Sequence, residues 1–364
     1  MDPLSPLRID LDWRADAAPL PAAGTPDRAR QLLSELLGSA RAGRLPDERA
    51  CAELDLLAYR CVSARRAGAA PSSAAIHAYM GALANNFPLR ATLLDAAAAL
   101  SKAGVRAIVY KGQDYVERIY GELGARAMAD IDLLVPESEL ARAERALLDA
   151  GFLADRECRL MHERKFCKNG VAVDLHHALL QPARMAVEHE QLFARALPCR
   201  FAPGLLVLEA TDAFLVHCIN QTVKAYQLPP SSYLELQALL AQADISAAIE
   251  RARAYRAQCA LYASLRALGE LGHPHARALA ARVQLSRQRQ RALDALVVAF
   301  ALRSIACEPP SRATLLALKT TLIDAPAAAA RFIPQWFAWQ LPWRPPRALL
   351  AAGEVPAPPR RALS

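Results

Sequence analysis

The sequence has 364 residues, of which 54% are hydrophobic and 22% are charged, and its formal net charge is +8. This composition is typical of a folded globular protein with room for one large or two to three small domains, and it excludes a disordered chain. No uncharged apolar run approaches the roughly 20 residues of a membrane helix, so we expect no integral membrane segment.

The charge and the cysteines narrow the class of protein further. A positive charge suits an anionic partner such as a nucleotide or a nucleic acid, but the basic residues form no dense block, so a nucleic acid partner is not required. The eight cysteines are scattered without a C-x-x-C motif, which argues against a zinc ribbon and a disulfide framework. Because the N-terminus shows no signal peptide pattern, we expect a cytoplasmic protein with reduced thiols.

After an irregular arm at 1–26, the first hundred residues are predicted to be helical. We expect four helices in this region, at 27–42, 47–66, 71–83 and 89–103. Asp47 is predicted to cap the second helix. The Asn-Asn-Phe-Pro sequence at 85–88 is predicted to separate the last two helices, and Gly104 to end the last one.

The middle of the chain alternates between strand-like and helix-like segments. Strands are predicted at 105–110, at 129–135 and from 151 onward, with helices at 112–121 and 137–150. The segments 163–167 and 171–176 are predicted to form a hairpin, because Asn169-Gly170 is a strong turn signal. With a last short strand at 204–208, these segments predict a small mixed sheet.

The remainder of the chain is predicted to be helical. Helices are expected at 210–226, 232–243, 245–258, 261–271, 286–307 and 311–322. An aromatic cluster follows and is expected to pack against the last helices: Phe332, Trp336, Phe337, Trp339 and Trp343. Residues 344–364 are rich in proline and arginine, which predicts a mobile tail.

Three acidic residues mark the predicted sheet. Asp130 and Asp132 are one residue apart in an apolar strand, so both side chains point to the same face, and Asp174 lies in a second alternating strand. Carboxylates held so close repel each other, and a divalent cation with oxygen ligands offsets that repulsion; Mg²⁺ commonly takes one or two carboxylates together with substrate phosphates. A capping role for Asp130 and a surface salt bridge for Asp132 are the alternative interpretation.

The sequence elements around these acids, taken in order, resemble a known enzyme family. Lys111-Gly112 follows the first core strand, Arg126 precedes Asp130-Ile131-Asp132, and Val173-Asp174-Leu175-His176 follows later. This layout resembles that of the DNA polymerase β-like nucleotidyltransferases, and in detail a poorly characterised bacterial branch with the pattern K-G, R…D-x-D and V-D-L-H. The close resemblance spans 105–177.

The resemblance implies a fold, an activity and cofactors. The fold would be α+β, with an α/β core containing a small mixed sheet and helical regions on both sides. The activity would be Mg²⁺-dependent transfer of a nucleoside monophosphate from a nucleoside triphosphate (NTP) to an acceptor nucleophile, with release of pyrophosphate. Asp130, Asp132 and Asp174 would hold two Mg²⁺ ions, and Asp174 would also take the proton of the attacking hydroxyl. The acceptor could be a small molecule, a peptide or a macromolecule.

The nucleotide is predicted to bind at the Lys111-Gly112 turn. Lys111 and Arg126 would meet its phosphates, and Gly112 would let the backbone approach them closely. Many members of the superfamily have Ser after the turn glycine, and its hydroxyl usually contacts the triphosphate. This chain has Gln113 instead, so Lys111 or backbone N–H groups would make that contact. The alternatives are structural: a plain strand-to-helix turn for Gly112, and an ion pair with Asp130 for Arg126.

His176 is a further candidate, because it lies two residues beyond Asp174 and should point to the same face. It could orient Asp174 or touch the acceptor, and a hydrogen-bonded position at the edge of the core is the alternative. His177 should face the opposite side. A surface or packing position is the simpler interpretation of three more polar residues, His162, Lys165 and His217.

The sequence therefore predicts five segments: an irregular arm at 1–26, an N-terminal helical region at 27–104, a nucleotidyltransferase core at 105–208, a C-terminal helical region at 209–343 and a tail at 344–364. Two other functions remain open. One is a nucleotidyltransferase toxin that modifies tRNA, and such toxins also carry a lysine-glycine turn before D-x-D. The other is a non-catalytic module that binds a nucleotide or a partner.

Overall fold

The computed structural model describes residues 25–160, 162–180, 184–303, 305 and 311–340, and for 156–160, 303 and 335–340 the description covers the backbone alone. The arm predicted at 1–26 lies outside these ranges except for its last two residues, and so does the tail predicted at 344–364. The side chains of Trp336, Phe337, Trp339 and Trp343 also lie outside the described part, whereas Phe332 of the same cluster is buried.

The N-terminal region is helical, as predicted. It contains α1 (Pro26–Arg41), α2 (Glu48–Glu53), α3 (Leu57–Arg66) and α4 (Ser73–Lys102). Asp47 caps α2 by accepting a hydrogen bond from Ala50 N. The prediction of one helix over 47–66 is wrong, because the chain turns between α2 and α3 at Asp55, which has a positive φ of 56°.

The predicted break at Asn85–Pro88 is also wrong, since α4 is a single helix of 30 residues with Pro88 inside it. A proline in a helix removes one backbone hydrogen bond and costs about 3 kcal/mol. The following turns offset this cost by burying one face in the core, with Leu89, Leu93 and Leu100 all buried. The helix ends where predicted, before Gly104, which has a φ of 64°.

The middle of the chain forms a mixed seven-stranded sheet with the order β3-β4-β5-β2-β1-β7-β6. Its strands are β1 (Ile108–Tyr110), β2 (Asp130–Leu134), β3 (Leu153–Leu160), β4 (Glu163–Lys168), β5 (Val171–His176), β6 (Leu197–Pro198) and β7 (Leu206–Val207). The β4–β5 hairpin is confirmed, and both of its turn residues, Asn169 and Gly170, have positive φ. Strands β2 and β5 are parallel neighbours, and β1 is antiparallel to β2.

Short helices connect these strands. They are α5 (Gly112–Tyr115), a π-helix (Val116–Tyr120), two 3₁₀-helices (Leu123–Ala125 and Glu137–Glu139), α6 (Leu140–Asp149) and α7 (His189–Arg195). The segment from Gly112 to Tyr120 matches the predicted helix at 112–121, although its second half is a π-helix.

The C-terminal region is helical as well. It comprises α8 (Ala210–Val223), α9 (Pro230–Leu240), α10 (Ile245–Ala254), α11 (Gln258–Glu270), α12 (Ala276–Ala281), α13 (Arg287–Ala292), a π-helix (Leu293–Val298), α14 (Ala299–Arg303), α15 (Arg312–Thr321) and α16 (Pro326–Gln340). Together with the sheet, these helices confirm the predicted α+β class. No helix among the described residues combines the length and the apolar character needed to cross a membrane.

The two sides of the sheet pack into different apolar cores. One core joins α4, α6 and the side of the sheet that carries Ile131, Leu133 and Val173. The other joins α1 with the C-terminal helices, and Tyr110 of β1 contributes to it. The first helix and the C-terminal helices therefore share the core that covers the acidic side of the sheet, whereas α4 packs on the opposite side.

Candidate active site

The predicted acidic residues come together on β2 and β5. The two strands run parallel with Asp132 directly opposite Asp174, so their side chains project from the same face of the sheet. Asp130 is two residues before Asp132 on the same strand and therefore shares that face. Both Asp132 and Asp174 are buried.

Two lysines and a histidine contact these carboxylates. Lys111 Nζ donates to Asp132 Oδ1 at 2.7 Å, and His176 Nε2 lies 3.0 Å from the same oxygen. Lys165 Nζ donates to Asp174 Oδ2 at 2.6 Å. Asp174 Oδ1 is buried and has no hydrogen-bond partner among the described residues. One carboxylate oxygen of the site is therefore both desolvated and unpaired.

These contacts and burial shift the pKa values of the three acids differently. The negative charge of Asp132, followed by burial, raises the pKa of Asp130 to about 6. Burial disfavours ionisation of Asp132, but Lys111 and His176 outweigh it and hold the pKa of Asp132 well below its usual value. Burial raises the pKa of Asp174 although Lys165 opposes the shift. The negative charge of Asp132 thus still disfavours ionisation of the two other acids, although two lysines contact the site.

These residues could bind a divalent cation. Asp132, Asp174 and His176 each offer a ligand atom, and these atoms all lie within 4.8 Å of one another. Asp130 is outside that group of three, although its electrostatic coupling to Asp132 and Asp174 places it beside them. Carboxylate oxygens are the ligands that Mg²⁺ prefers, and an unpaired buried oxygen such as Asp174 Oδ1 suits a cation.

The Lys111-Gly112 turn lies at the end of β1, next to the acids. Lys111 has φ 59° and ψ −134°, a conformation that costs a residue with a side chain about 1–3 kcal/mol. At Gly112, a Cβ atom would lie 3.2 Å from Met128 Sδ and 3.9 Å from Arg126 Nη1. The turn is therefore tightly packed against the segment that leads into β2.

Gln113 and Arg126 have partners that the sequence did not reveal. The side chain of Gln113 is buried, and its Oε1 accepts a hydrogen bond from Arg90 Nε at 2.8 Å. Arg126 forms an ion pair with Glu235 of α9, which also accepts a hydrogen bond from Tyr120 Oη at 3.1 Å. The ionic partner of Arg126 is thus Glu235 rather than Asp130, and this contact ties the C-terminal helices to the sheet.

Lys165, for which a surface or packing position was expected, contacts Asp174 instead, whereas His162 is buried beside Glu163 and His176. In the β4–β5 hairpin, Lys165 faces Asp174, and Glu163 faces His176. The turn at Asn169-Gly170 fixes this register, so counting outward from it would have found both pairs. His217 is a packing residue as expected, because it contacts Tyr115 Oη and Ser232 O at 3.0 Å each.

A pair of asparagines supports the site from α4. Asn86 Nδ2 donates to the carbonyl oxygens of Leu123 and Arg126 at 2.6 Å each, and Asn86 Oδ1 accepts from Met128 N at 3.1 Å. Asn85 Nδ2 donates to Met128 O at 2.6 Å. The two side chains therefore hold the segment that immediately precedes Asp130.

Comparison with known protein families agrees with this geometry. A family model described as an uncharacterised nucleotidyltransferase matches residues 49–273. The match extends from α2 to just beyond α11 and so includes every residue of the acidic site. No curated protein matches the sequence.

Proposed function

Because the chain belongs to this uncharacterised nucleotidyltransferase family, we propose that it transfers a nucleoside monophosphate from an NTP to an acceptor nucleophile in the presence of Mg²⁺. Membership of the family accounts for nucleotidyl transfer in general. The finer proposal is carried by one observation: Asp132 and Asp174 stand in register on adjacent parallel strands, beside the Lys111-Gly112 turn.

Asp130, Asp132 and Asp174 would hold the metal. Their oxygens match the preference of Mg²⁺, and Asp174 Oδ1 is buried without a hydrogen-bond partner in the described part of the chain. When bound, two Mg²⁺ ions would neutralise the triphosphate and stabilise the charge on the attacking and leaving oxygens.

Asp174 would act as the general base. The acceptor oxygen forms a bond to the α-phosphorus while its proton passes to the carboxylate of Asp174, and pyrophosphate leaves with the electron pair of the broken P–O bond. Burial raises the pKa of Asp174, which makes its carboxylate a better proton acceptor than an exposed aspartate. Lys165, bonded to the other oxygen of the same carboxylate, would fix its orientation.

Lys111 and Arg126 would bind the phosphates. The side chain of Lys111 is partly exposed and already lies at the acids, so a triphosphate held there would share its ammonium group with Asp132. The guanidinium of Arg126 lies beside Gly112. His176 would orient Asp132 through the contact between its Nε2 and Asp132 Oδ1, whereas the sequence suggested Asp174 or the acceptor as its partner.

Isothermal titration calorimetry tests the nucleotide-binding part of this proposal. We expect the full-length protein to bind at least one of the four NTPs in Mg²⁺ and to lose that binding in EDTA. Asp132→Asn should weaken Mg²⁺-dependent binding by about tenfold or more, because the loss of one carboxylate removes a metal ligand. Asp149→Asn is a matched control, since Asp149 is exposed on α6. Folded protein that binds none of the four NTPs in Mg²⁺ would contradict the proposal.

A further inference from the structure

A second group of possible metal ligands lies next to the acidic site, where β4 begins and β5 ends. It consists of His162, Glu163 and His176, all of them buried. Glu163 and His176 are register partners in the hairpin, and His177 N donates to His162 O at 3.0 Å. Backbone pairing therefore holds the three residues in place without any ligand.

The distances within this group do not fit hydrogen bonds. Glu163 Oε2 lies 3.5 Å from His162 Nε2 and 3.4 Å from His176 Nδ1, whereas N–H···O hydrogen bonds are about 2.7–3.2 Å long. Around a tetrahedral Zn²⁺ ion with bonds of about 2.0–2.2 Å, neighbouring ligand atoms are about 3.4 Å apart. Both separations fit ligands arranged around one ion, and the three possible ligand atoms all lie within 4.8 Å of one another.

The orientation of the His176 imidazole also indicates a metal site. With its Nε2 hydrogen donated to Asp132 Oδ1 at 3.0 Å, the imidazole presents the Nδ1 lone pair to Glu163 Oε2. Nδ1 is buried and makes no hydrogen bond to any described residue. A lone pair that faces a carboxylate is unfavourable unless a proton or a metal cation lies between them.

Metal-binding histidines show this arrangement regularly. The ring nitrogen that does not bind the metal usually donates its hydrogen to a carboxylate, which fixes the tautomer and the ring orientation. Asp132 occupies that position here relative to His176. The Glu163 carboxylate has one oxygen near a lysine, since Lys165 Nζ lies 3.6 Å from Glu163 Oε1. The other oxygen, Oε2, faces the two histidines and remains for a metal ion.

We propose that His162, Glu163 and His176, the last through its Nδ1, bind one divalent cation of the Zn²⁺ class, next to the Mg²⁺ site of Asp130, Asp132 and Asp174. Two imidazoles and one carboxylate suit Zn²⁺ or Co²⁺, whereas Mg²⁺ prefers an all-oxygen set. The bound ion would hold His176 in the tautomer that donates to Asp132. It would therefore position that aspartate without contacting the nucleotide.

Metal titration of the full-length protein tests this inference independently of nucleotidyl transfer. After treatment with a chelator and its removal, the protein should bind one equivalent of Co²⁺ with the intense visible absorption of a tetrahedral site and without a thiolate charge-transfer band. Competition with a chromophoric chelator then gives the Zn²⁺ affinity. An excess of Mg²⁺ should not displace the bound ion.

Two substitutions identify the ligands. His162→Gln and Glu163→Gln should each weaken Zn²⁺ binding by about 100-fold, because even a residue that only supports a ligand contributes about 10–100-fold. His275→Gln is the matched control, since His275 is exposed and far from the sheet in sequence. The inference is overturned if wild-type protein gives no tetrahedral Co²⁺ spectrum, or if both ligand variants bind Zn²⁺ as tightly as the control.

Discussion

Replacing Asp174 by Asn is expected to lower the rate of nucleotidyl transfer by about 10³-fold while the protein stays folded. The amide has nearly the same shape as the carboxylate, but it carries no charge for a metal and accepts no proton from the attacking hydroxyl. Asp132→Asn should have a similar effect, because Asp132 lies in register with Asp174 and is in contact with both Lys111 and His176. The initial rate of label transfer from an α-labelled NTP measures the loss.

Two controls separate a loss of chemistry from a loss of structure. The melting temperature of each variant, followed by circular dichroism, should show that the fold survives the substitution. Asp149→Asn changes an exposed aspartate outside the site and should leave the transfer rate unchanged. An Asp174→Asn protein that transfers label at the wild-type rate would exclude Asp174 as the base and as a metal ligand.

Replacing Asn86 by Ala is expected to lower the free energy of unfolding by about 3 kcal/mol or more. The substitution leaves two carbonyl groups, of Leu123 and Arg126, and the N–H group of Met128 without their partner. The contact of Met128 N is buried and the two carbonyl contacts are partly buried, and an unpaired buried polar group costs about 1–3 kcal/mol. Urea denaturation gives the free energy of unfolding, provided that the transition is two-state.

The same variant should also lose activity, because the segment released by Asn86 leads directly into Asp130. Asn220 on α8 provides a comparison: its amide nitrogen is buried but has no hydrogen-bond partner among the described residues. Asn220→Ala should therefore destabilise the protein by less than Asn86→Ala. Equal unfolding midpoints for the Asn86→Ala protein and the wild type would show that the asparagine does not support the site.

Local sequence patterns predicted the parts of the structure that depend on neighbouring residues. Alternation along a strand places Asp130 and Asp132 on one face, and the Asn169-Gly170 turn fixes the hairpin. The pairing of β2 with β5 could not be predicted in this way, because periodicity alone does not determine which strands pair. The resemblance to a nucleotidyltransferase family suggested that Asp174 joins the other two acids.

The errors come from contacts between residues distant in sequence. Asn85-Asn86-Phe87-Pro88 predicts a helix break from local propensity, but tertiary packing of α4 and the hydrogen bonds of both asparagines to 123–128 outweigh the cost of Pro88. Arg126 forms its ion pair with Glu235, more than a hundred residues away in sequence, and no local pattern encodes that pairing. The contact between Lys165 and Asp174 could have been predicted, because the register of the hairpin places the two residues opposite each other.

Label transfer from each of the four α-labelled NTPs in cell extract tests the central claim most directly. With Mg²⁺, we expect the wild-type protein to attach label from at least one NTP to a component of the extract. EDTA should abolish the transfer, restored Mg²⁺ should recover it, and Asp132→Asn protein should fail to support it. If folded wild-type protein transfers no label from any NTP in Mg²⁺, or if Asp132→Asn transfers it equally well, the acids on β2 and β5 are not a nucleotidyltransferase active site.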